Sequence, residues 1–424
     1  MIPLRPEMKH GMDGEIARLQ QGGRQRRRLT VALGAIGGTV LGAGVLLGLW
    51  GAAPPAARSE ATPPPVLPAP PANGVIGFVV QNFVPPVVPG MDACPHGTAP
   101  RLREQYLRTL TPAEQAQLRL KENEKKLTDL WHAYAFGPNG TNICSQPDRF
   151  DHAPYPAVES KLGIGLDLDH DAGGKATAST CAHDNFQSPA GDHGIDNQEY
   201  RAMGCTLEMR GLDGNGGDAL SGMKQFHNSG EWTQVILLKG VDSLVNDDDV
   251  EVVYANTADR PELDSKGNFL RGVSFSVNDT GVRHRNVLRG HIHNGVLTTD
   301  PADIRLAQTW GQGGARDIRG NRSQYHFQEG RLRLEFQPDG SLRGVVGGYR
   351  PIHDVIISPS LGGAGSALAA GIDCAAELAT LKKMADGMRD PQSGQCTAVS
   401  SAMRIEAIPA YVNDLPVPAR RAMR

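Results

Sequence analysis

Residues 29–53 form one uncharged, mostly apolar run, and Arg24, Arg26, Arg27 and Arg28 stand directly before it. At about 1.5 Å per residue, a run of this length crosses a bilayer as a helix. Basic residues favour the cytoplasmic side, so the pattern predicts a single-pass inner-membrane helix with the rest of the chain in the periplasm. A cleaved signal peptide is the rival expectation. Its apolar core is usually about 7–15 residues, and a small-residue cleavage site ends it. This run is longer, and Pro54 and Pro55 follow it. Gly34, Gly38 and Gly42 lie four apart, and Gly44 and Gly48 repeat the spacing. Such a ladder permits close helix–helix approach and predicts a homodimer contact, although spanning helices also simply tolerate glycine.

Charge divides the chain at the same place. Residues 1–28 carry seven Lys/Arg against three acids, a net +4, while the whole chain is −3. The part beyond the run therefore carries −7, which argues against nucleic acid or anionic lipid as its partner. All six cysteines (Cys94, Cys144, Cys181, Cys205, Cys374, Cys396) lie beyond the run. An even number in an oxidising compartment reads as a disulfide framework. Spacing suggests Cys374–Cys396, Cys181–Cys205 and, by remainder, Cys94–Cys144. No C-x-x-C-H occurs, so c-type haem is not expected, and no C-x-x-C suggests thioredoxin-like chemistry. Cys94 stands near His96, but oxidation is expected for it rather than catalysis.

Six stretches follow: a basic tail (1–28), the apolar run (29–53), a Pro/Ala-rich linker (54–73), a loop-rich part with one helix (74–220), a strand-rich part (221–360) and a helical end (361–424). Residues 74–88 are rich in valine and phenylalanine and suit a first strand or docked segment. Thr111, Pro112 and Glu114 predict a capped helix running to about residue 130. Residues 131–220 show little periodicity, and long loops of this kind are usually functional or disordered. Residues 233–238 and 250–254 read as a hairpin with its turn at 246–249. Short strands are expected at 272–277 and 295–298. Residues 331–336 alternate charged and apolar, and Asp339 and Gly340 turn the chain into 341–346. Residues 375–388 predict a helix, 397–407 a helix or strand, and 409–419 an edge or tail. The fold class expected is mainly β: an N-terminal transmembrane helix and an antiparallel β-sandwich or jelly roll with a few helices.

Chemistry concentrates in 167–198. Asp167, Asp169 and Asp171, followed by Gly173 and Gly174, resemble the start of an oxygen-lined Ca²⁺ loop. Ala178 stands where an EF-hand needs Glu, so a true EF-hand is excluded. Asp192, Asp196 and Asn197 make a second acidic stretch. Residues 191–197 resemble the Asp/Gly/Asn loops of extracellular calcium-binding repeats such as thrombospondin type 3, without their repetition. A solvated acidic loop is the plain alternative. His170, His183 and His193 bring zinc into consideration, without an H-E-x-x-H motif. His291 and His293 would share a strand face, but no carboxylate stands immediately beside them and exposed polar positions on a strand are the favoured explanation. Residues 211–217 read as a glycine-rich turn, with Asp213 and Asp218 at its edge. No G-x-S-x-G, P-loop or dinucleotide fingerprint occurs in context, and no catalytic residue can be chosen.

The segment 194–198 (Gly-Ile-Asp-Asn-Gln), Gly347-Gly348-Tyr349 and residues 386–396 resemble uncharacterised envelope-anchored proteins of Gram-negative bacteria. That resemblance implies an address and no activity. The leading expectation is a membrane-anchored periplasmic binding or assembly module that takes an envelope saccharide or a protein partner. The alternatives are a metal-dependent hydrolase using the His/Asp-rich loop 167–198, and a structural subunit of a membrane complex.

Overall fold

The computed structural model describes residues 67–414 apart from 172, 218–222, 225–226, 231, 278–281, 308–323, 357–366 and 369. The expected basic tail, apolar run, glycine ladder and most of the spacer lie outside the described residues, as does Asp218. Among the described residues no helix is long and apolar enough to cross a membrane.

Eleven strands occur among the described residues: β1 (Ile76–Val84), β2 (Gln234–Lys239), β3 (Asn246–Asn256), β4 (Ser274–Ser276), β5 (Arg285–His293), β6 (Val296–Thr299), β7 (Ala302–Ala307), β8 (Gln324–Phe336), β9 (Leu342–Pro351), β10 (Gly387–Arg389) and β11 (Cys396–Asn413). They correct the expected sandwich. Eight of them, β1-β2-β3-β5-β6-β8-β9-β11, pair in that order and close into an antiparallel barrel. Closure rests on β1, which pairs with β2 on one side and with β11 on the other, from Gly77↔Ala410 to Val84↔Arg404. A sandwich would leave this strand as an edge, and full closure removes edges altogether. The sequence does not announce this, because the closing partners lie at opposite ends of the described chain.

Alternation builds the interior. Phe78, Val80, Phe83, Ile236, Val252, Tyr254, Leu288, Phe327, Leu334 and Ile405 belong to one buried cluster that fills the barrel. Each such side chain contributes about 1.5–3 kcal/mol on leaving water. In β8 the inward set changes parity, from Tyr325 and Phe327 to Leu332, Leu334 and Phe336. The register shifts between Gln328 and Arg331, where Glu329 takes a φ of 50°. An extra residue at such a bulge flips every later side chain to the other face. This is why the alternation is legible only from 331 onward. β7 continues the line of β6 along β8, beyond the break at Asp300 and Pro301.

The two expected hairpins form, with one shift. β2 and β3 pair from Gln234↔Asn256 to Lys239↔Glu251. The turn lies before residue 246 rather than at 246–249, beginning at Gly240, whose φ of +75° suits glycine. β8 and β9 join through Asp339 and Gly340. Residues 397–407 are strand within β11, which runs on through 409–413.

Helices α1 (Leu102–Arg108), α2 (Pro112–Leu118), α3 (Glu124–Ala135), α4 (Gln198–Met203), α5 (Leu207–Arg210), α6 (Ile352–Val355) and α7 (Cys374–Lys383) lie outside the barrel. Thr111 and Glu114 form the capping box of α2, but the expected helix breaks after Leu118. The expected C-terminal helix ends at Lys383, and Gly387 enters β10 instead. This outer layer joins β9 and β11: Gln198 N–H donates to Ser400 Oγ, and Arg350 forks onto Glu199 at 2.8 Å.

The disulfides also correct the spacing argument. They are Cys94–Cys205, Cys144–Cys374 and Cys181–Cys396, at sequence separations of 111, 230 and 215 residues. Nearness in sequence misleads here because α7 and β11 return to meet the loop layer. Loops this long each remove roughly 5 kcal/mol of unfolded-chain entropy in the chain-entropy model.

Candidate functional site

The acidic loop folds back on itself beside the outer faces of β8, β9 and β11. An antiparallel bridge joins Leu166 to Asp196, and another joins Phe186 to Ile195. These bridges bring three of the six expected ligands together. One ligand atom each from Asp167, Asp169 and Asp196 lie within 4.8 Å of one another. Asp196 is fully buried and doubly held: Leu168 N–H donates to its Oδ2 at 2.7 Å, and His183 Nε2 meets its Oδ1 at 2.8 Å.

The other three expected ligands stand apart. Asp171 caps its own turn, accepting from Gly173 and Lys175 N–H groups. Asp192 accepts from Ser188 Oγ at 2.8 Å. Asn197 caps α4 by accepting from Tyr200 N–H and donates to the Ile164 carbonyl. His291 and His293 do not act as a pair: His291 faces the Asp248 carbonyl and Asp300, while His293 faces Asn294. Asp213 caps the turn at 211–217.

His183 is an imidazolium by geometry. Its Nδ1 donates to the Cys181 carbonyl at 2.9 Å, so both ring nitrogens serve as donors. Burial presses its pKa down, but the bonds to Asp196 and Cys181 and the nearby charge of Asp386 prevail and lift it to about 9. It is therefore no zinc ligand in this arrangement, because it keeps no lone pair.

Two residues that sequence reasoning missed complete the cluster. Asp386 lies with its Oδ2 4.0 Å from His183 Nε2, and its side chain is fully buried. Burial raises its pKa to about 7, against the opposing Ser400 hydrogen bond and His183 charge. Tyr349, on β9, is 2% exposed, and its ring packs with Leu166 and Leu168. Gly387 is required beside that ring, since a Cβ there would come within 2.1 Å of it. Burial, then the charges of Asp386, Asp196 and Asp169, push the phenol's pKa upward. Asp386 and Tyr349 lie far from 167–196 in sequence, and their segments stood out only for a resemblance that gave neither residue a role.

Beside this cluster runs a groove of about 660 Å³ between the loop and the barrel wall. Arg331, Arg333, Arg343 and Arg404 line it, with His170 and His193 on the loop side. Strand register sorts the wall into rows. Glu335, Arg343 and Glu406 form one row, and Arg333, Val345 and Arg404 form the next. Arg331 and Gly347 stand in the third, where Arg331 donates to the Asp167 carbonyl at 3.2 Å. The first row carries its own counter-charges. In the second, the backbone positions of two arginines stand two strands apart, roughly 9–10 Å, across a valine. No phenylalanine, tyrosine or tryptophan lines the groove. The outward arginines are visible in the 331–336 alternation, but only the tertiary structure puts Arg404 beside them.

A separate polar chain lies where β7, β8 and α6 meet. His326 bonds Asp303 and stands 3.6 Å from Asp354, which His353 meets at 3.1 Å. Comparison with known proteins finds no matching family model, no significantly similar curated protein and no significantly similar solved structure.

Proposed function

We propose that the protein is an extracytoplasmic binding or assembly module whose ligand is an acidic segment of a protein partner, held in the groove beside β8, β9 and β11. One observation carries this reading. Arg333 and Arg404 flank Val345 inside the groove and form no ion pair among the described residues. Guanidinium forks match carboxylates in pairs, and the spacing suits acidic side chains of an extended chain. The barrel interior is packed with apolar side chains, which favours a site on the outer wall over one in the lumen. A protein segment is favoured over a saccharide because, although Asp167, Asp192, Glu335 and Glu406 also line the groove, Arg333 and Arg404 face it without an ion pair among the described residues and no Phe, Tyr or Trp offers a sugar a stacking face. The three disulfides favour an oxidising compartment. The hydrolase alternative is weakened by His183, which spends both nitrogens on hydrogen bonds.

The test is titration of the full-length chain with a glutamate-rich peptide and with polygalacturonate. The peptide is expected to bind, with affinity falling as salt rises. Replacing Arg333 and Arg404 by Glu is expected to weaken it by more than about tenfold, or about 1.4 kcal/mol. Peptide binding unchanged in that double variant defeats the proposal. Binding of polygalacturonate alone would replace the protein partner with a saccharide.

A further inference from the structure

We infer that Asp167, Asp169 and Asp196 hold one hard divalent cation of the calcium type, and that this ion ties the acidic loop to the barrel wall. Three carboxylates with ligand atoms within 4.8 Å of one another match the oxygen-rich shell such an ion requires. Proximity of acids alone would not carry the inference. The second observation is two buried side chains outside the cluster, each with an oxygen that lacks a hydrogen-bond partner: Asp386 Oδ2, 4.0 Å from the His183 that Asp196 holds, and Tyr349 Oη, which feels the charges of Asp196 and Asp169. Asp386 is fully buried and Tyr349 is 2% exposed. A buried polar atom without a partner costs about 1–3 kcal/mol, more when charged. Two such oxygens beside the same three acids point to a common missing partner rather than separate faults.

The charge arrangement agrees. Four acidic side chains, Asp167, Asp169, Asp196 and Asp386, gather around one basic side chain, His183. Arg331 reaches only the backbone carbonyl of Asp167. Asp196 is held by Leu168 N–H and His183, as a ligating carboxylate is normally held by groups behind it. Tyr349 and Asp386 complete the surroundings from β9 and from the residue before β10. An ion here would therefore join three segments far apart in sequence. Asp167 also lines the groove, so the same ion would set one wall of it. The inference is independent of what the groove binds.

The experiment uses the full-length chain, stripped with a chelator and titrated with terbium(III) and then calcium. Tyr349 packs against Leu166 and Leu168 and feels the charges of Asp196 and Asp169, so it is the expected sensitiser of terbium emission. One equivalent of terbium is expected, with tyrosine-sensitised emission that calcium reverses, and calcium is expected to raise the unfolding midpoint. Tyr349→Phe is expected to dim the emission several-fold while calcium still binds by calorimetry. Asp169→Asn is expected to weaken calcium at least about tenfold. Asp213→Asn, on an exposed turn, is expected to bind as the native chain does. No uptake of either ion by the native chain overturns the inference, as does native-like calcium affinity in Asp169→Asn. In those cases ordered water satisfies the buried oxygens. If Asp169→Asn fails to fold, the native titration and Tyr349→Phe decide alone.

Discussion

His183 and His227 are both buried, one outside the barrel wall and one at its interior, and they carry opposite charge states. His227 is fully buried between Phe83 and Trp232, and neither ring nitrogen has a hydrogen-bond partner. Burial lowers its pKa to about 4, so it is neutral. His183 is as sheltered, yet two acceptors hold it as a cation. Depth therefore does not decide charge. What decides it is whether the surroundings supply partners, and His227 meets the rings of Phe83 and Trp232 and no hydrogen-bond partner. The same strands β9 and β11 thus present an apolar face inward and a charged, partly unsatisfied face outward.

The largest expected effect sharpens the outer half of this contrast. Asp196→Ala strands the His183 cation and the Leu168 N–H without an acceptor. Removing one partner of a buried pair costs about 3–5 kcal/mol, and chemical unfolding at neutral pH reads it directly. A loss below about 1 kcal/mol would mean that His183 is not held as a cation.

The inner half is tested through pH. The folded-state pKa of His227 lies below its ordinary value of 6.5, so the unfolded chain takes up the proton first. Stability is full above about pH 6.5 and falls as pH drops toward 4, by on the order of 3 kcal/mol. His227→Leu removes this component and also the two unpaired nitrogens. Thermal melts across that window are expected to show a flatter acid limb for the variant. An unchanged limb breaks the comparison.

The smallest effect concerns a surface charge on the outer end of β11. The Arg285 hydrogen bond, opposed by burial and aided by Lys239, lowers the Asp414 carboxyl to about 2. Because that pKa is depressed, the contribution is present above about pH 3.8 and is lost as pH falls toward 2. Asp414→Asn is expected to cost about 1 kcal/mol at neutral pH, a value limited by solvent screening. Equal melting of variant and native chain would show the pair to be energetically idle.

Local patterns were legible where neighbours in sequence are neighbours in space. The β8–β9 hairpin follows from alternation and from Asp339 and Gly340. The α2 start follows from Thr111, Pro112 and Glu114. Asp167 and Asp169 stood out for the same reason, being two residues apart in a glycine-rich loop. Asp386 and Tyr349 did not, because their share in the cluster depends on β9 and on the approach to β10. The expected sandwich failed at a single pairing, β1 with β11, whose partners are more than three hundred residues apart. The disulfides failed likewise, since chain distance is a poor guide once α7 and β11 fold back.

By itself, the sequence determined that the chain is rich in antiparallel strands, that its cysteines are even in number, and that acids crowd one loop. Those are properties of composition and short-range period, and hydrophobic alternation enforces them locally. The tertiary structure alone decided that the strands close, which cysteines pair, and which three acids converge. It also decided that one buried histidine is charged and another is not. Each of these depends on contacts between distant segments, which loop closure and burial select only when the whole chain is packed.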